Sequence, residues 1–394
     1  ASPEKQDQRQ AILAAKGAYL PTLWAAQVGP EWFAARLDTF LETHRYRAIP
    51  AESLFASLSP ADSFAVEELI ESWYHDTTMA GYLISDLECY NVRDGERTRS
   101  QVKFTITNPE PVAGVVEVGF RTRRREMRFM PRWLRGDESF DVSRTILMPA
   151  ATTKEIGILF DDPPAEMTLE TYVSRNLPSV VRKRFSELKL RENVRPFDGE
   201  VSAYYDSDSI KTAGEYVVDN EDPGFTVVTE TEENLLRRLI HGLFDSEDED
   251  EVPYVPLRFW DLPGNWQPTT ASEFYGRYIH SGYFKEAGDG SQVVAWNVEL
   301  AEAGDYDIYY HVAELRMPGW WRRHRRGSQD RGKKHFIVYH EDGSDEAALD
   351  LDLSESGWNL IGTYRLSAGV NRVELTDQAS TPFVTADAVK WVKR

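Results

Sequence analysis

The chain has little cysteine, no long apolar run and no recognisable targeting segment. Cys89 is the single cysteine in 394 residues, so no internal disulfide can form. No stretch approaches the roughly 20 apolar residues of a membrane-spanning helix, so no membrane span is predicted. Residues 1–20 carry charges from Glu4 onward and lack the apolar core of a signal peptide. We therefore expect a mature protein or a piece of a longer one.

Positive charge is also scarce. Lys and Arg total 45 against 65 Asp and Glu, which gives a formal net charge of −20. A nucleic-acid partner would present a phosphate backbone that such a chain repels overall. The composition therefore predicts that the protein does not bind nucleic acid.

Motifs for catalysis are missing as well. None of the eight histidines begins an H-E-x-x-H zinc motif, and His340-Glu341, the nearest approach, is followed by Gly343 and Ser344. No G-x-S-x-G elbow and no glycine-rich phosphate loop occur. Carboxylates are so numerous that a glycosidase pair is compatible with the sequence, but any chosen pair would be arbitrary. The sequence therefore predicts a chain that is not an enzyme, with no catalytic residue, no metal site and no cofactor.

Hydrophobic spacing divides the chain into a helical beginning and a long β region. Residues 1–77 have apolar side chains at helical spacing, as in the run Trp32, Phe33, Leu37, Phe40 and Leu41. The period then changes to two, for example in "QVKFTITN" and "GVVEVGF", which is typical of half-buried strands. The chain is predicted to be mainly β, with an N-terminal helical segment.

Turn residues and strand spacing give the expected domains. Residues 78–180 should form an immunoglobulin-like β-sandwich, and residues 181–213 should form a connector. Residues 214–394 should form a jelly-roll-like β-sandwich with an insertion at 229–262. That insertion contains the acidic run "DSEDEDE".

Four motifs in the last of these domains carry a family resemblance. They are "DNEDPGF" at 219–225, "AEAGDYDIYYHV" at 301–312, "GWNLIGTYRLSAG" at 357–369 and "VTADAVKWV" at 384–392. In this order they resemble the golvesin C-terminal / xanthan lyase carbohydrate-binding-like domain over about 214–394. The resemblance implies a β-sandwich with a carbohydrate ligand. In the third motif we interpret Trp358 and Leu360 as scaffold at a strand start, and Gly362 as the site of a bulge or close crossing.

The first half of the chain carries a second resemblance. "RLDTFLETHRYRAIPAESLFASLSP" and "LIESWYHDTTMAGYLISDLECY", followed by "VKFTITNPEPVAGVVEVGF", lie within residues 1–180. They are similar to the C-terminal part of aminopeptidase-N-type zinc metallopeptidases, in which a helical region runs into a β-sandwich. The zinc site of such a protein would lie on an earlier domain, which implies that this chain is the C-terminal region of a longer protein.

Two basic clusters interrupt the acidic background. "RTRRREMRFMPRWLR" occupies 121–135, and "WWRRHRRGSQDRGKK" occupies 320–334. They are either solvated loops, partners of the acidic run, or a binding surface for an anionic polymer or protein. Arginine forks pair with carboxylates and indole rings stack on sugars. The candidate ligand-binding residues are Trp320, Trp321, Arg322 and Arg323.

Together these patterns predict a non-catalytic accessory region of a larger cell-envelope protein, which is a metallopeptidase if the second resemblance holds. Its partners would be a polysaccharide or anionic glycan and the upstream domains of the same polypeptide. The alternative is a pair of structural or protein-interaction sandwiches with no glycan ligand. The expected location is the periplasm or the extracellular surface.

Overall fold

The computed structural model describes residues 3–49, 51–58, 70, 73–75, 77–122, 140–185, 188–204, 214–228, 254–315 and 332–394. The chain divides into two compact units, Ala1–Ser209 and Ile210–Arg394. Each unit has a hydrophobic core of its own.

The first unit begins with three helices: α1 (Pro3–Val28), α2 (Pro30–Thr43) and α3 (Ala51–Leu58). Gly29 adopts a φ of 98° between α1 and α2, and Pro30 starts α2 at a position where a missing N–H costs nothing. Trp24, Phe33 and Leu58 form the buried centre of the helices. The prediction of a helical beginning is confirmed for the described residues.

The rest of the first unit is a sandwich of two four-stranded antiparallel sheets. One sheet has the order β1-β2-β5-β8 and the other has the order β4-β3-β6-β7. The strands are β1 (Leu83–Asp94), β2 (Arg97–Asn108), β3 (Gly114–Thr122), β4 (Val142–Met148), β5 (Thr152–Phe160), β6 (Pro164–Glu170), β7 (Val180–Arg184) and β8 (Gly199–Tyr204). This pairing is that of an immunoglobulin-like sandwich.

Two features of this unit differ from the expected domain layout. Strands β7 and β8 lie in the stretch expected to be a connector, yet β7 pairs with β6 and β8 pairs with β5. They complete both sheets because each one gives an edge strand a hydrogen-bonded neighbour. Helix α1 also packs on the sandwich, where the Tyr19 hydroxyl accepts the backbone N–H of Val115 at 3.2 Å.

The second unit is a sandwich whose main sheets have the orders β10-β13-β18-β15-β16 and β17-β14-β20-β9, with a smaller sheet β11-β12-β19. Its strands are β9 (Glu215–Val218), β10 (Phe225–Val228), β11 (Gln267–Thr270), β12 (Ser281–Glu286), β13 (Val293–Leu300), β14 (Gly304–Val312), β15 (Lys333–His340), β16 (Gly343–Asp350), β17 (Gly357–Leu366), β18 (Gly369–Thr376), β19 (Phe383–Ala386) and β20 (Val389–Lys393). Trp296, Tyr306, Tyr310 and Trp391 are among the fully buried side chains between the sheets.

The predicted fold class is confirmed: the chain is mainly β, with N-terminal helices and β-sandwiches. The "VTADAVKWV" motif forms two strands, β19 and β20, which lie in different sheets with Asp387 and Ala388 between them. Part of the expected insertion, residues 254–262, lies on the sandwich, because Phe259 is buried and its ring is 5.2 Å from that of Phe383. None of the described helices is long and apolar enough to cross a membrane.

Candidate functional site

The sheet β17-β14-β20-β9 has one side in the core and one side facing outward. On β14, Tyr306, Ile308 and Tyr310 are buried in the core. Tyr309 and His311 alternate with them and therefore lie on the outward side, where both are half-buried. We call the group on this side the aromatic face; it consists of Tyr275, Tyr309, His311, Trp358 and Lys390.

Strand β17 brings Trp358 beside His311. The two residues are direct partners in the antiparallel pairing of β14 and β17. The register shifts by one residue between Ile308 and Tyr309, and Gly362 lies at this bulge. A Cβ atom at Gly362 would come within 2.7 Å of the Tyr364 ring, so glycine permits the close approach. The prediction for Gly362 is thus confirmed.

Three rings of the aromatic face contact one another. The ring centroids of Tyr275 and Trp358 are 5.1 Å apart, those of His311 and Trp358 are 5.2 Å apart, and those of Tyr275 and His311 are 5.6 Å apart. The planes are inclined by 59–75°, which aromatic pairs prefer over face-to-face stacking. Trp358 is half-buried, so part of this cluster is open to a ligand.

A buried carboxylate holds the histidine and the tyrosine of this cluster in place. Asp387 is fully buried between β19 and β20. Its Oδ2 atom lies 2.8 Å from Nδ1 of His311, and its Oδ1 atom accepts the backbone N–H of Tyr275 at 3.0 Å. Burial raises the pKa of Asp387 above its ordinary value, while the hydrogen bond from His311 acts in the opposite direction. The hydrogen bond to Asp387 orients the His311 ring and engages Nδ1, so Nε2 is the ring nitrogen that Asp387 does not contact.

Lys390 adds a positive charge to the aromatic face. Its Nζ atom is 5.0 Å from the centre of the Trp358 ring and 5.4 Å from the centre of the Tyr309 ring. These distances are those of cation–π contacts. The face therefore combines indole and phenol rings, an oriented imidazole and an ammonium group, which suits a ligand that has both an apolar surface and polar groups.

The sequence predicts a different ligand-binding surface. Trp320, Trp321, Arg322 and Arg323 lie outside the described residues, as do the acidic run and most of the 121–135 cluster. Lys334, the last residue of the second basic cluster, is buried in the core rather than displayed on a loop. Within the part of the chain that the structure describes, no group of three His, Cys, Asp or Glu side chains could hold a metal ion.

The aromatic face lies within the part of the chain that matches the model of a known protein family. Residues 259–393 match the family model of the Golvesin C-terminal domain. The matched region contains every member of the aromatic face together with Asp387. The first resemblance is confirmed over this range, which begins later than residue 214. The comparisons give no support to the resemblance with aminopeptidase-N-type metallopeptidases.

Comparisons with solved structures and with curated proteins do not extend this family match. A xanthan lyase from Paenibacillus has 16% identity and a TM-score of 0.31, over 79% of this chain and 26% of that one. A β-(1,4)-mannanase from Podospora anserina has 14% identity and a TM-score of 0.24, over 46% of this chain and 28% of that one. The chain thus covers about a quarter of each of these two proteins, and TM-scores this low do not establish a shared fold. No curated protein matches the chain.

The second unit, Ile210–Arg394, also has a lysine in its interior. Lys334 is buried, its Nζ atom donates to the backbone oxygen and to Oγ1 of Thr385, and it lies 5.1 Å from the centre of the Tyr310 ring. Burial lowers the pKa of Lys334 to about 7, although Asp387 acts in the opposite direction. Burial, together with the charge of Asp387, raises the pKa of Asp219 to about 8.

These shifts predict how stability depends on pH. The pKa of Lys334 is lower in the folded chain, so between pH 7 and about 10 the unfolded chain binds a proton that the folded chain has released. Lys334 should therefore make the free energy of unfolding increase as the pH rises through this window. Asp219 has the opposite sign, because its contribution is lost as the pH rises to about 8. Above pH 8 Asp219 therefore no longer opposes the effect of Lys334.

We expect Lys334→Met to remove the gain in stability between pH 8 and about 10, as measured by urea unfolding. Lys333→Met is the matched control, because Lys333 is the adjacent strand residue and its side chain is exposed. A slope that is the same in Lys334→Met and in the unmodified chain would contradict the prediction.

Proposed function

We propose that the second unit, which contains the match to the Golvesin C-terminal domain, is a non-catalytic carbohydrate-binding module, and that the chain is an accessory region of a larger extracellular or periplasmic protein. The aromatic face is the observation that carries this proposal. Trp358 and Tyr309 offer ring surfaces for the C–H side of a pyranose, and His311 and Lys390 offer polar groups for its hydroxyls. The family match of residues 259–393 supports it.

The chemistry around His311 favours binding over catalysis. The Asp387–His311 pair is similar to two members of a hydrolytic triad, but a triad also needs a nucleophile within hydrogen-bond reach. Among the described residues, no Ser, Thr or Cys side chain is hydrogen-bonded to the His311 ring. We therefore expect no peptidase, glycosidase or lyase turnover from the purified chain, with or without zinc.

A glycan array with the full chain tests the binding function, followed by calorimetry on any ligand found. Trp358→Ala should weaken binding by about 10- to 100-fold, as expected for loss of a central aromatic contact. Trp358→Phe keeps a ring and should lose less, which separates ligand contact from folding.

Trp260→Ala is the matched comparison, because Trp260 is the most exposed tryptophan that the structure describes, at 67%. If Trp260→Ala abolishes binding and Trp358→Ala does not, the ligand binds at another surface. If no glycan binds, the alternative of purely structural or protein-interaction sandwiches is favoured. An H-E-x-x-H motif upstream in the parent gene would test the metallopeptidase suggestion.

A further inference from the structure

We infer that the aromatic face takes glycans that carry a carboxylate, and that Lys390 is the residue that selects them. This inference rests on the proposed function and names the ligand class of the same site. It depends on the environment of one ammonium group, which differs from that of the other cations on the same side of the sheet.

The ammonium of Lys390 lacks a hydrogen-bond acceptor among the described residues. The nearest carboxylate is that of Glu215, whose Oε2 atom is 3.9 Å away, beyond hydrogen-bond distance. The side chain of Lys390 is only 17% exposed, because Tyr309 and Trp358 flank it. A strongly hydrated point charge has thus given up much of its water without gaining a close anionic partner.

Other cations on this side of the sheet are paired more closely. The Nε atom of Arg394 is 2.9 Å from Oδ1 of Asp307, and the Nε atom of Arg365 is 3.2 Å from Oε2 of Glu341. Both arginines are also more exposed, at 60% and 63%. Lys390 is therefore the cation at the centre of the aromatic face that has donors left for a ligand.

A carboxylate on a bound sugar would complete this site. A ring stacked on Trp358 would bring its substituents toward an ammonium that lies 5.0 Å from the centre of the indole. A hydrogen bond from the Nζ ammonium is charge-assisted with either acceptor, but a carboxylate adds a direct attraction between opposite charges that a neutral hydroxyl lacks. Glu215 opposes this ligand, because a second carboxylate would lie within about 4–6 Å of its own.

The two charged residues therefore predict changes of opposite sign. Lys390→Gln should lower the affinity for an acidic glycan, and Lys390→Arg should retain most of it. Glu215→Gln should raise that affinity, because it removes the competing negative charge. For a neutral glycan, Lys390→Gln should cost less affinity than it costs for the acidic glycan, because a glutamine amide can still donate to a hydroxyl. Glu215→Gln should change the affinity for a neutral glycan by no more than about twofold.

The experiment uses the full chain and two matched ligand pairs measured by calorimetry. The first pair is a β-(1,4)-linked glucuronic acid oligomer and the cello-oligosaccharide of the same length, which differ in the carboxyl group. The second pair is an α-(1,4)-linked galacturonic acid oligomer and its carboxyl-reduced form. We expect an acidic member to bind about tenfold tighter or more than its neutral partner. Lys390→Gln should remove that preference.

The outcomes separate this inference from the proposed function. Equal binding of the acidic and neutral members, or an equal loss for both in Lys390→Gln, overturns the carboxylate selection and leaves carbohydrate binding in place. Binding of neither member of either pair overturns the carboxylate selection, and the glycan array alone then decides the proposed function. A preference that persists in Lys390→Gln and is unaffected by Glu215→Gln shows that another cation selects the carboxylate, which also overturns the role of Lys390.

Discussion

Lys285→Met is expected to lower the free energy of unfolding of the C-terminal unit by about 3–5 kcal/mol, the usual cost of breaking a buried ion pair. Lys285 and Asp377 are 3% and 2% exposed, and the Lys285 ammonium donates to Oδ2 of Asp377. The Oδ1 atom accepts the backbone N–H of Gly290 at 2.8 Å. Removing the lysine alone leaves a buried carboxylate without its counter-charge.

A double variant shows how much of this loss comes from the orphaned charge. Lys285→Met combined with Asp377→Asn removes both charges and keeps an acceptor for the N–H of Gly290. The double variant should be more stable than Lys285→Met alone. Hydrogen exchange of peptides from β13 and β18 at several urea concentrations measures the unfolding of this unit. A double variant that loses the sum of the two single losses would contradict the argument, and Lys333→Met serves as an exposed-lysine control.

The sequence was informative wherever one side of an element is buried and the other is not. The two-residue period that predicts strands also occurs in "DIYYHV", which forms β14 with Ile308, Tyr310 and Val312 in the core and with Tyr309 and His311 outside it. The same reasoning predicted the apolar side of α2, where Phe33 and Phe40 are buried. Local pattern and tertiary burial agree at these positions, so single-sequence reasoning succeeds.

Short strands that depend on distant partners were not predicted. Strands β10 and β11 have four residues each, and β11 contains Pro268. Hydrogen bonding to other strands sets their extended conformation: β10 pairs with β13, and β11 pairs with β12. The division of "VTADAVKWV" into two strands has a similar origin, because Asp387 is held by Tyr275 and His311 rather than by a strand partner.

The sequence does not predict the aromatic face, for a related reason. The sequence predicts a scaffold role for Trp358, but a tryptophan at a strand start can be either buried or exposed. Tyr275 reaches it from the loop that leads into β12, and Lys390 reaches it from the last strand, so the aromatic face exists only after folding. The outward positions of "DIYYHV" were the available signal, since Tyr309 and His311 are large side chains on the side opposite to the core.

Asp387→Ala is expected to cost about 2–3 kcal/mol of stability, because it orphans two donors in a partly buried site. The backbone N–H of Tyr275 and Nδ1 of His311 both lose their partner. The loss is reduced by the removal of a carboxyl group whose pKa burial already raises. The same change should lower the pKa of Asp219, since the charge of Asp387 helps to raise it. Carbon-13 NMR of the Asp219 carboxyl group measures this shift.

Asp387→Asn is the matched variant and should cost less than about 1 kcal/mol, because an amide can satisfy both partners. Its oxygen can accept the N–H of Tyr275, and its NH₂ group can then donate to Nδ1 of His311. The His311 ring would have to carry its proton on Nε2 instead of Nδ1, so Nε2 changes from an acceptor to a donor. Nitrogen-15 shifts of the imidazole report the tautomer. If Asp387→Asn leaves the tautomer unchanged and destabilises the unit as much as Asp387→Ala, the carboxylate does not orient His311 in this way.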